Sequence, residues 1–466
     1  MTSLLKAAAS VTSALICTAA LAGGPLRVAL VGDPQVDNAV EMGYARKSIY
    51  SELSGRKDID LCIFLGDLVN DDMSLLPESV RIIDSLPFPC LMIPGNHDRD
   101  VYRGPKALHL AGASEIKRGG QQKPGKPRDL SSWRKTVGYV DTSFVRGNVR
   151  FILMNNVRHA GAGMTDYEGG FTSAQKHWLD SVLNVSVSGC RRGTRKDDAP
   201  ALTILATHIP FSMMHGKDSV LEMIPDLSRM LFISGHTHYV SRGYIGDPEG
   251  ASGLQMASEL IAGAACGSWW RGVKDDDGVP YALQSCGAPR GYFIADIRPG
   301  GGYRLSYKCI GRPEPEQLSV WAIPENSASA EPSQGNAESG QDSDSIPRYR
   351  FYINVFGGAS DGVTEISIPR KYRRGVKPSG FRQLHCTRSS ATAPEVEDVI
   401  RFNASMTREY RKTHRDEFIP LRRKSSTHLW QSDAVLQGEL PSNVNVRYRD
   451  GHMRLKMVNV RVQTFN

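Results

Sequence analysis

The stretch RVALVGDPQ, residues 27–35, sets an apolar run directly before Asp33 and Gln35. The same arrangement, an apolar run closed by a small residue and followed by polar ones, recurs in LCIFLGD (61–67), CLMIPGNHD (90–98), LTILATH (202–208) and MLFISGHTH (230–238). Short runs rich in β-branched residues are typical of buried strands in an α/β protein. Sheets of this class place ligands at the carboxyl ends of their strands. We therefore expect carboxylate, amide and imidazole side chains to meet at one edge and bind metal, with two ions as the expected number.

The length of 466 residues exceeds one ordinary domain, so we expect two. An apolar content of 40% supports large hydrophobic cores. The formal charge of +8 favours anionic partners, but Lys and Arg are scattered along the chain and no nucleic-acid module is evident.

Residues 1–22 have the pattern of a secretory signal peptide. Lys6 precedes an apolar core, and Ala20-Leu21-Ala22 offers small residues for cleavage before Gly23. Ile16 before Cys17 disfavours a lipoprotein signal, and an uncleaved anchor is the alternative. No later run approaches the ~18 apolar residues of a membrane span. We expect an exported protein, periplasmic or secreted, without a transmembrane span after signal removal.

Seven cysteines follow the signal peptide at wide spacing, which does not predict a disulfide scaffold. Cys62 and Cys90 lie in predicted core strands and are interpreted as buried apolar residues. Cys266 and Cys286 flank one loop segment and are the pair we would expect to bridge, if any does.

Residues 26–310 alternate strand-like runs with helix-like stretches, which favours a single α/β catalytic domain. Helices are predicted at 45–53, 75–86 and 173–183, the last with an N-cap at Thr172 or Ser173. Residues 138–157 read as a hairpin that leads into a core strand.

The segment 325–347 is polar and Ser-rich, so it is predicted to be a flexible linker or insertion. Residues 348–466 alternate apolar and polar positions and lack long helical periodicity. They predict a small β-rich C-terminal domain, with a sandwich as one option.

The five polar segments together resemble the calcineurin-like metallophosphoesterase superfamily, whose blocks are D-x-[H/Q], G-D, G-N-H-[D/E], H and G-H-x-H, in that order. GAACGSWWRGVKDDDGVPYALQSCGAPRGYFIADI and the ending STHLWQSDAV…NVNVRYRDGHMRLKMVNVRV are similar to an exported bacterial subfamily with its own C-terminal domain. The resemblance implies an α/β fold, a four-layer α/β/β/α sandwich over about residues 26–310.

The resemblance also implies two divalent cations, Mn, Fe or Zn, with roles for matching residues. Asp67 would bridge the ions, and the remaining ligands would be Asp33, Gln35 and His238 on the first ion and Asn96, His208 and His236 on the second. His97 would protonate the leaving oxygen or stabilise the transition state, and Asp98 would orient it. Gln35 stands where many relatives have His, which weakens one ligand. Asn70 stands where purple acid phosphatases have a metal-binding Tyr, so a ferric tyrosinate is not expected.

Four other features lie outside the motifs, and two of them have open interpretations. Trp269-Trp270-Arg271 either packs between the domains or forms a wall of the substrate pocket, with Arg271 facing an anionic group. The basic, Gly- and Pro-rich residues 112–136 form either a surface loop or a flap. Asp71-Asp72 is interpreted as a helix-start carboxylate pair, and the histidines outside the motifs, His159, His177 and His215, are interpreted as non-ligands.

The predicted activity is hydrolysis of phosphate mono- or diesters by a hydroxide held between two metal ions. The alternatives are a catalytically weak, metal-containing protein that binds envelope material or glycans, and a structural envelope protein that works through its C-terminal domain. The substrate and the oligomeric state stay open.

Overall fold

The computed structural model describes residues 24–100, 128–159, 165–185, 199–246, 256–325, 346–369 and 380–465. The predicted signal peptide, most of the basic segment 112–136 and nearly all of the segment 325–347 lie outside these residues, so those interpretations stay predictions. Within the described ranges, no helix has the length and apolar character needed to cross a membrane.

The strands of the structure are β1 Leu26–Val31, β2 Leu61–Phe64, β3 Cys90–Met92, β4 Thr142–Arg146, β5 Val149–Leu153, β6 Val157–His159, β7 Tyr167–Gly169, β8 Leu202–Ala206, β9 Met230–Ser234, β10 Val240–Ile245, β11 Ala257–Ala262, β12 Gly291–Ile297, β13 Tyr303–Cys309, β14 Leu318–Pro324, β15 Arg348–Val355, β16 Val363–Pro369, β17 Phe381–Arg388, β18 Leu429–Ser432, β19 Leu436–Gln437, β20 Asn443–Arg449 and β21 Arg454–Gln463. The α-helices are α1 Ala39–Ala45, α2 Ser51–Gly55, α3 Leu76–Asp84, α4 Ser131–Thr136, α5 Ser173–Leu183, α6 Asp218–Leu221, α7 Pro394–Ser405 and α8 Arg408–Thr413. A π-helical turn, Arg46–Tyr50, joins α1 to α2.

Two mixed sheets form the N-terminal α/β domain. The first has the order β13-β12-β1-β2-β3, and the second has the order β10-β11-β9-β8-β5-β4. The strands β1, β2 and β3 are parallel, as are β5, β8, β9 and β11. Because parallel neighbours point the same way, the segments that follow them emerge at a common edge of each sheet.

The two sheets pack face to face, with helices on both outer sides. Side chains such as Val28 and Leu30 of β1 meet Ile204 of β8 in the core between the sheets. The opposite face of the first sheet packs on α1, α2 and α3, and that of the second packs on α5 and α6. The predicted α/β/β/α sandwich is confirmed.

The predicted helices and hairpin are present. The first helical run is longer than predicted, because it starts at Ala39 after the N-cap Asn38 and continues to Gly55. The helix α5 spans the predicted residues and begins with a capping box between Thr172 and Gln175. The hairpin β4–β5 places β5 next to β8 in the second sheet.

The C-terminal domain is an eight-stranded sheet with the order β14-β21-β20-β16-β17-β18-β15-β19. An additional β14–β15 pairing closes it, so the β-rich domain is confirmed and its form is barrel-like rather than a sandwich. Its first strand, β14, precedes the segment 325–347, which therefore connects two paired strands of one sheet. The helices α7 and α8 were not predicted.

A buried ion pair joins the second sheet to the C-terminal domain. Arg242 of β10 donates from Nη1 and Nη2 to the two carboxylate oxygens of Asp450, at 2.8 and 3.0 Å. Their side chains are 5% and 0% exposed. Arg242 also donates to the carbonyl oxygen of Gly357, so one guanidinium fixes two segments of the C-terminal domain.

The expected Cys266–Cys286 bridge is wrong. Both residues are buried free thiols among the cysteines that the structure describes. The Sγ atom of Cys266 lies 3.8 Å from Nδ1 of His238, whereas the Sγ atom of Cys286 accepts from the backbone N–H of Val240. The two thiols therefore have different partners and are not bonded to each other.

Candidate metal centre

The five polar segments converge at one edge of the sandwich. Asp33, Asp67 and Asn96 follow strands of the first sheet, while His208 and His236 follow strands of the second. Ligating atoms of Asp67, His208 and His236 lie within 4.8 Å of one another. The side chains reach each other across the seam between the two sheets, because their strands all end at this edge.

His208 is at the centre of the most compact part of the site. Its Nδ1 lies 2.8 Å from the carbonyl oxygen of Leu65, which can only accept, so Nδ1 carries a proton and Nε2 is directed into the site. Nε2 lies 2.9 Å from Oδ1 of Asn96, 3.2 Å from Nδ1 of His236 and 3.3 Å from Oδ2 of Asp67. Four atoms with lone pairs therefore surround one small volume.

The charges in this volume favour a cation. Burial would lower the pKa of His208, but the Asp67 carboxylate outweighs burial and raises that pKa to about 9. Burial lowers the pKa of His236 to about 3, with a further contribution from His208, so His236 is a neutral nitrogen ligand. Carboxylate, amide and imidazole donors without thiolates suit Mn, Fe or Zn. The residues present therefore fit a divalent ion.

The second part of the predicted site is looser. Nε2 of His238 lies 3.9 Å from Oδ1 of Asp33, and Nδ1 of His238 donates to the carbonyl oxygen of Gly267 at 2.7 Å. Asp33 accepts the backbone N–H of His236 through both carboxylate oxygens. Gln35 is buried near this pair, but its Nε2 donates to Asn70, and its Oε1 lies 3.9 Å from Sγ of Cys266. Gln35 therefore lies beside Asp33 and His238, and its side-chain amide contacts Asn70 and Cys266.

The backbone is left-handed at five of the seven predicted ligand positions. Positive φ angles occur at Asp33 (45°), Gln35 (38°), Asp67 (50°), His236 (72°) and His238 (52°). Non-glycine residues rarely adopt this conformation, and those that do cluster at functional sites. The shared conformation turns each side chain back toward the sheet edge directly after its strand.

Two glycines allow the ligand segments to approach each other. A Cβ atom on Gly95 would lie 2.0 Å from Oδ1 of Asp67, and one on Gly235 would lie 2.3 Å from Oδ2 of Asp33. Real Cβ atoms do not come so close to an oxygen, so both positions require glycine. The Gly in each motif is therefore part of the site's packing.

His97 is held by Asp71, not by Asp98. Nδ1 of His97 lies 3.2 Å from Oδ1 of Asp71, which also accepts from the buried guanidinium of Arg128. Burial would lower the pKa of His97, but the Asp67 carboxylate and the bond to Asp71 outweigh it, so this pKa lies above its usual value. The ring therefore presents Nε2, the atom that is free of Asp71, as a proton donor.

The predicted role of Asp98 is wrong for a geometric reason. Its oxygens accept from the backbone N–H groups of Val69, at 3.0 Å, and Gly95, at 2.9 Å, so the carboxylate fixes the loop instead of the ring. The interpretation of Asp71-Asp72 as a helix-start pair is wrong for Asp71, because its carboxylate contacts His97 and Arg128. Only Asp72 stays local, where it accepts from Ser74.

Asp71 and Arg128 are site residues that the sequence did not single out. Asp71 stands four residues after Asp67 and has a φ of 66°. Acidic residues are common near helix starts, so the sequence gives no reason to expect that Asp71 contacts His97. Arg128 is separated from the motifs in the chain. Arg128 lies 57 residues after Asp71, so their contact exists only in the folded chain.

The three residues of the proposed substrate cluster separate. Trp270 is 2% exposed and packs in the core beneath the first sheet, where its Nε1 donates to the carbonyl oxygen of Pro34 at 3.0 Å. Trp269 is 45% exposed, and its ring centroid lies 4.7 Å from that of His238. Arg271 is also exposed. Packing thus explains Trp270 but not its neighbours.

Comparisons with known proteins match both parts of the chain. The family model of calcineurin-like phosphoesterases matches residues 26–240, and the model of the C-terminal domain of calcineurin-like phosphoesterase matches residues 259–453. No curated protein matches the chain.

Solved structures resemble part of the chain at low identity. The purple acid phosphatase PPD1 from yellow lupin (Lupinus luteus) seeds is 14% identical at a TM-score of 0.38, over 62% of this chain and 52% of that one. PhoD is 10% identical at 0.37, over 62% and 66%. GAP50, the anchor in the inner membrane complex of Plasmodium, is 14% identical at 0.33, over 61% and 84%. The match thus spans about half the length of the lupin protein, and likenesses this weak carry no argument about function.

Proposed function

We propose that this chain, which belongs to the calcineurin-like phosphoesterase family, hydrolyses phosphate mono- or diesters with two divalent cations bound at the sheet edge. One observation carries the proposal: lone pairs of Asp67, Asn96, His208 and His236 converge on one volume, with Asp33 and His238 paired beside it. Such a set of acceptors is costly when buried unless a cation or a proton is shared among them.

The residues fit the demands of phosphoryl transfer. Asp33, Gln35, Asp67 and His238 would hold one ion, and Asp67, Asn96, His208 and His236 would hold the other. When bound, the cations supply positive charge that activates water and neutralises the phosphoryl oxygens. Protein groups must then align the ester and move a proton.

His97 is the group that can move this proton. Asp71 fixes Nδ1, so Nε2 can protonate the ester oxygen that leaves as an alcohol. Burial would lower the pKa of His97, but the neighbouring carboxylates of Asp67 and Asp71 raise it above its ordinary value. A protein that only bound envelope material would not need a positioned proton donor, which favours catalysis over the binding alternative.

The test is an assay of metal content and turnover in the same preparations. Wild-type protein loaded with Mn, Fe or Zn should hydrolyse 4-nitrophenyl phosphate or bis(4-nitrophenyl) phosphate. His208→Ala should lose bound metal and most of the turnover, because His208 contacts three of the other ligating atoms. His177→Ala, which removes an exposed histidine of α5, is the matched control and should keep both. If folded, metal-loaded wild type hydrolysed neither ester with any metal, the proposal would fail.

A further inference from the structure

The loop between β11 and β12, residues 263–290, is called the wall loop below. It is attached to the ligand segments by backbone hydrogen bonds. The N–H of Ala265 donates to the carbonyl oxygen of Gly32 at 2.8 Å, and that of Cys266 donates to Asp33 at 3.0 Å. His238 donates from Nδ1 to Gly267 of the same loop. The wall loop therefore has a fixed position against the Asp33–His238 half of the site.

The wall loop presents one exposed indole to this half. The ring of Trp269 is tilted by 31° to the ring of His238, with centroids 4.7 Å apart. Trp269 and Trp270 both have a φ of 53°, a conformation that bulky residues rarely adopt. The consecutive left-handed residues send Trp270 into the core and leave Trp269 at the surface beside a predicted ligand.

The C-terminal domain supports the outer side of the wall loop. The N–H of Gly272 donates to the carbonyl oxygen of Asp416 at 2.8 Å, and Nζ of Lys274 lies 3.0 Å from Oδ2 of Asp416. Leu283 of the loop is buried in a cluster with C-terminal residues, Ala393, Val396 and Ile419. The wall loop that carries Trp269 is therefore in contact with both domains.

We propose that Trp269 is the platform of a subsite for the organic part of the substrate, and that the preferred phosphate esters carry a flat ring there. This inference rests on the proposed function, because the ions at the sheet edge would take the phosphate. An indole face has no donor for phosphate oxygens, but it stacks on flat rings.

The kinetic test compares two esters of primary alcohols, 2-phenylethyl phosphate and n-propyl phosphate. Their alcohols have similar acidity, so the ratio of kcat/KM reports the ring and not the leaving-group chemistry. Wild type should prefer the phenylethyl ester. Trp269→Leu, which keeps apolar bulk, should lower this preference by roughly 3- to 10-fold, and Trp269→Phe should keep most of it.

A binding measurement separates this inference from the proposed function. Calorimetry with 2-phenylethylphosphonate and propylphosphonate, which are not hydrolysed, should show the same ring preference in wild type and its loss in Trp269→Leu. If wild type turned over neither these esters nor the two 4-nitrophenyl esters named above, the proposed function would fail, and the phosphonates alone would decide on the subsite. The inference would be overturned if wild type showed no preference for the ring, or if Trp269→Leu bound both ligands more weakly by the same factor. Trp269 would then only cover His238.

Discussion

The substitution Asp71→Asn should reduce turnover by weakening the hold on His97. Asp71 is bonded to Nδ1 of His97 at 3.2 Å, and the two side chains are only 5% and 18% exposed. A hydrogen bond to a charged group contributes about 1.5–3 kcal/mol. If this contribution acts on the transition state, kcat/KM falls by roughly 10- to 150-fold, since about 1.4 kcal/mol corresponds to one factor of ten. Asn keeps the shape of the side chain but removes the charge that also pairs with the buried Arg128, so kcat/KM is measured on protein shown to be folded.

The assay measures kcat/KM for an alkyl and an aryl phosphate in Asp71→Asn and in the matched control Asp72→Asn. Asp72 is the adjacent carboxylate, which accepts from Ser74 and does not contact His97 in the structure. The loss in Asp71→Asn should be larger for the alkyl ester, because a poor leaving group depends more on protonation. Equal kcat/KM values in the two variants would refute the assignment of Asp71 as the residue that positions His97.

Two further substitutions probe the domain junction and the first metal. Arg242→Ala should lower the free energy of unfolding by about 3–5 kcal/mol in urea titrations, because it leaves the buried Asp450 carboxylate without its cation. Arg447→Ala, in an exposed ion pair, is the control and should cost less than about 1 kcal/mol; a similar cost for both would contradict the reasoning. Gln35→His should increase the metal retained after dialysis against a chelator, because imidazole is a stronger ligand than a neutral amide. Unchanged retention would show that Gln35 is not a ligand.

The strands and the meeting of the polar segments could be predicted because both depend on short-range patterns. An apolar run such as RVALVG demands burial on both faces, and the polar residues after it must then lie at the strand end. Five such runs predict that the polar residues meet at one edge of the sheet, even when the order in which the strands pair is not known. The structure adds that the edge is shared by two sheets.

The partner of His97 could not be predicted, because pairing in loops depends on backbone geometry. Asp98 is adjacent to His97 in sequence, but its carboxylate is used by two backbone N–H groups. Asp71 reaches the ring only because the loop after β2 turns through a left-handed residue. Neighbours in sequence are therefore poor guides to hydrogen-bond partners outside regular structure.

The closed C-terminal sheet was beyond prediction for a related reason. Its closure depends on β14, which precedes the polar segment and pairs with both β15 and the last strand, β21. Alternation shows that a strand exists, but it does not say which distant strand is its neighbour. The boundary drawn at the polar segment therefore separated two strands that belong to one sheet.

Contacts between protein groups hold the left-handed backbone at the predicted ligand positions. Each such residue costs about 1–3 kcal/mol and persists only where its surroundings determine it. Those surroundings are present: the N–H of His97 donates to Asp67, the N–H of His236 donates to Asp33, and Gly95 and Gly235 leave room for both carboxylates. These contacts join protein groups to each other, so they do not require a bound ion. The ligand geometry is therefore prepared by the packing of the two sheets, and binding energy need not be used to bend the chain into place.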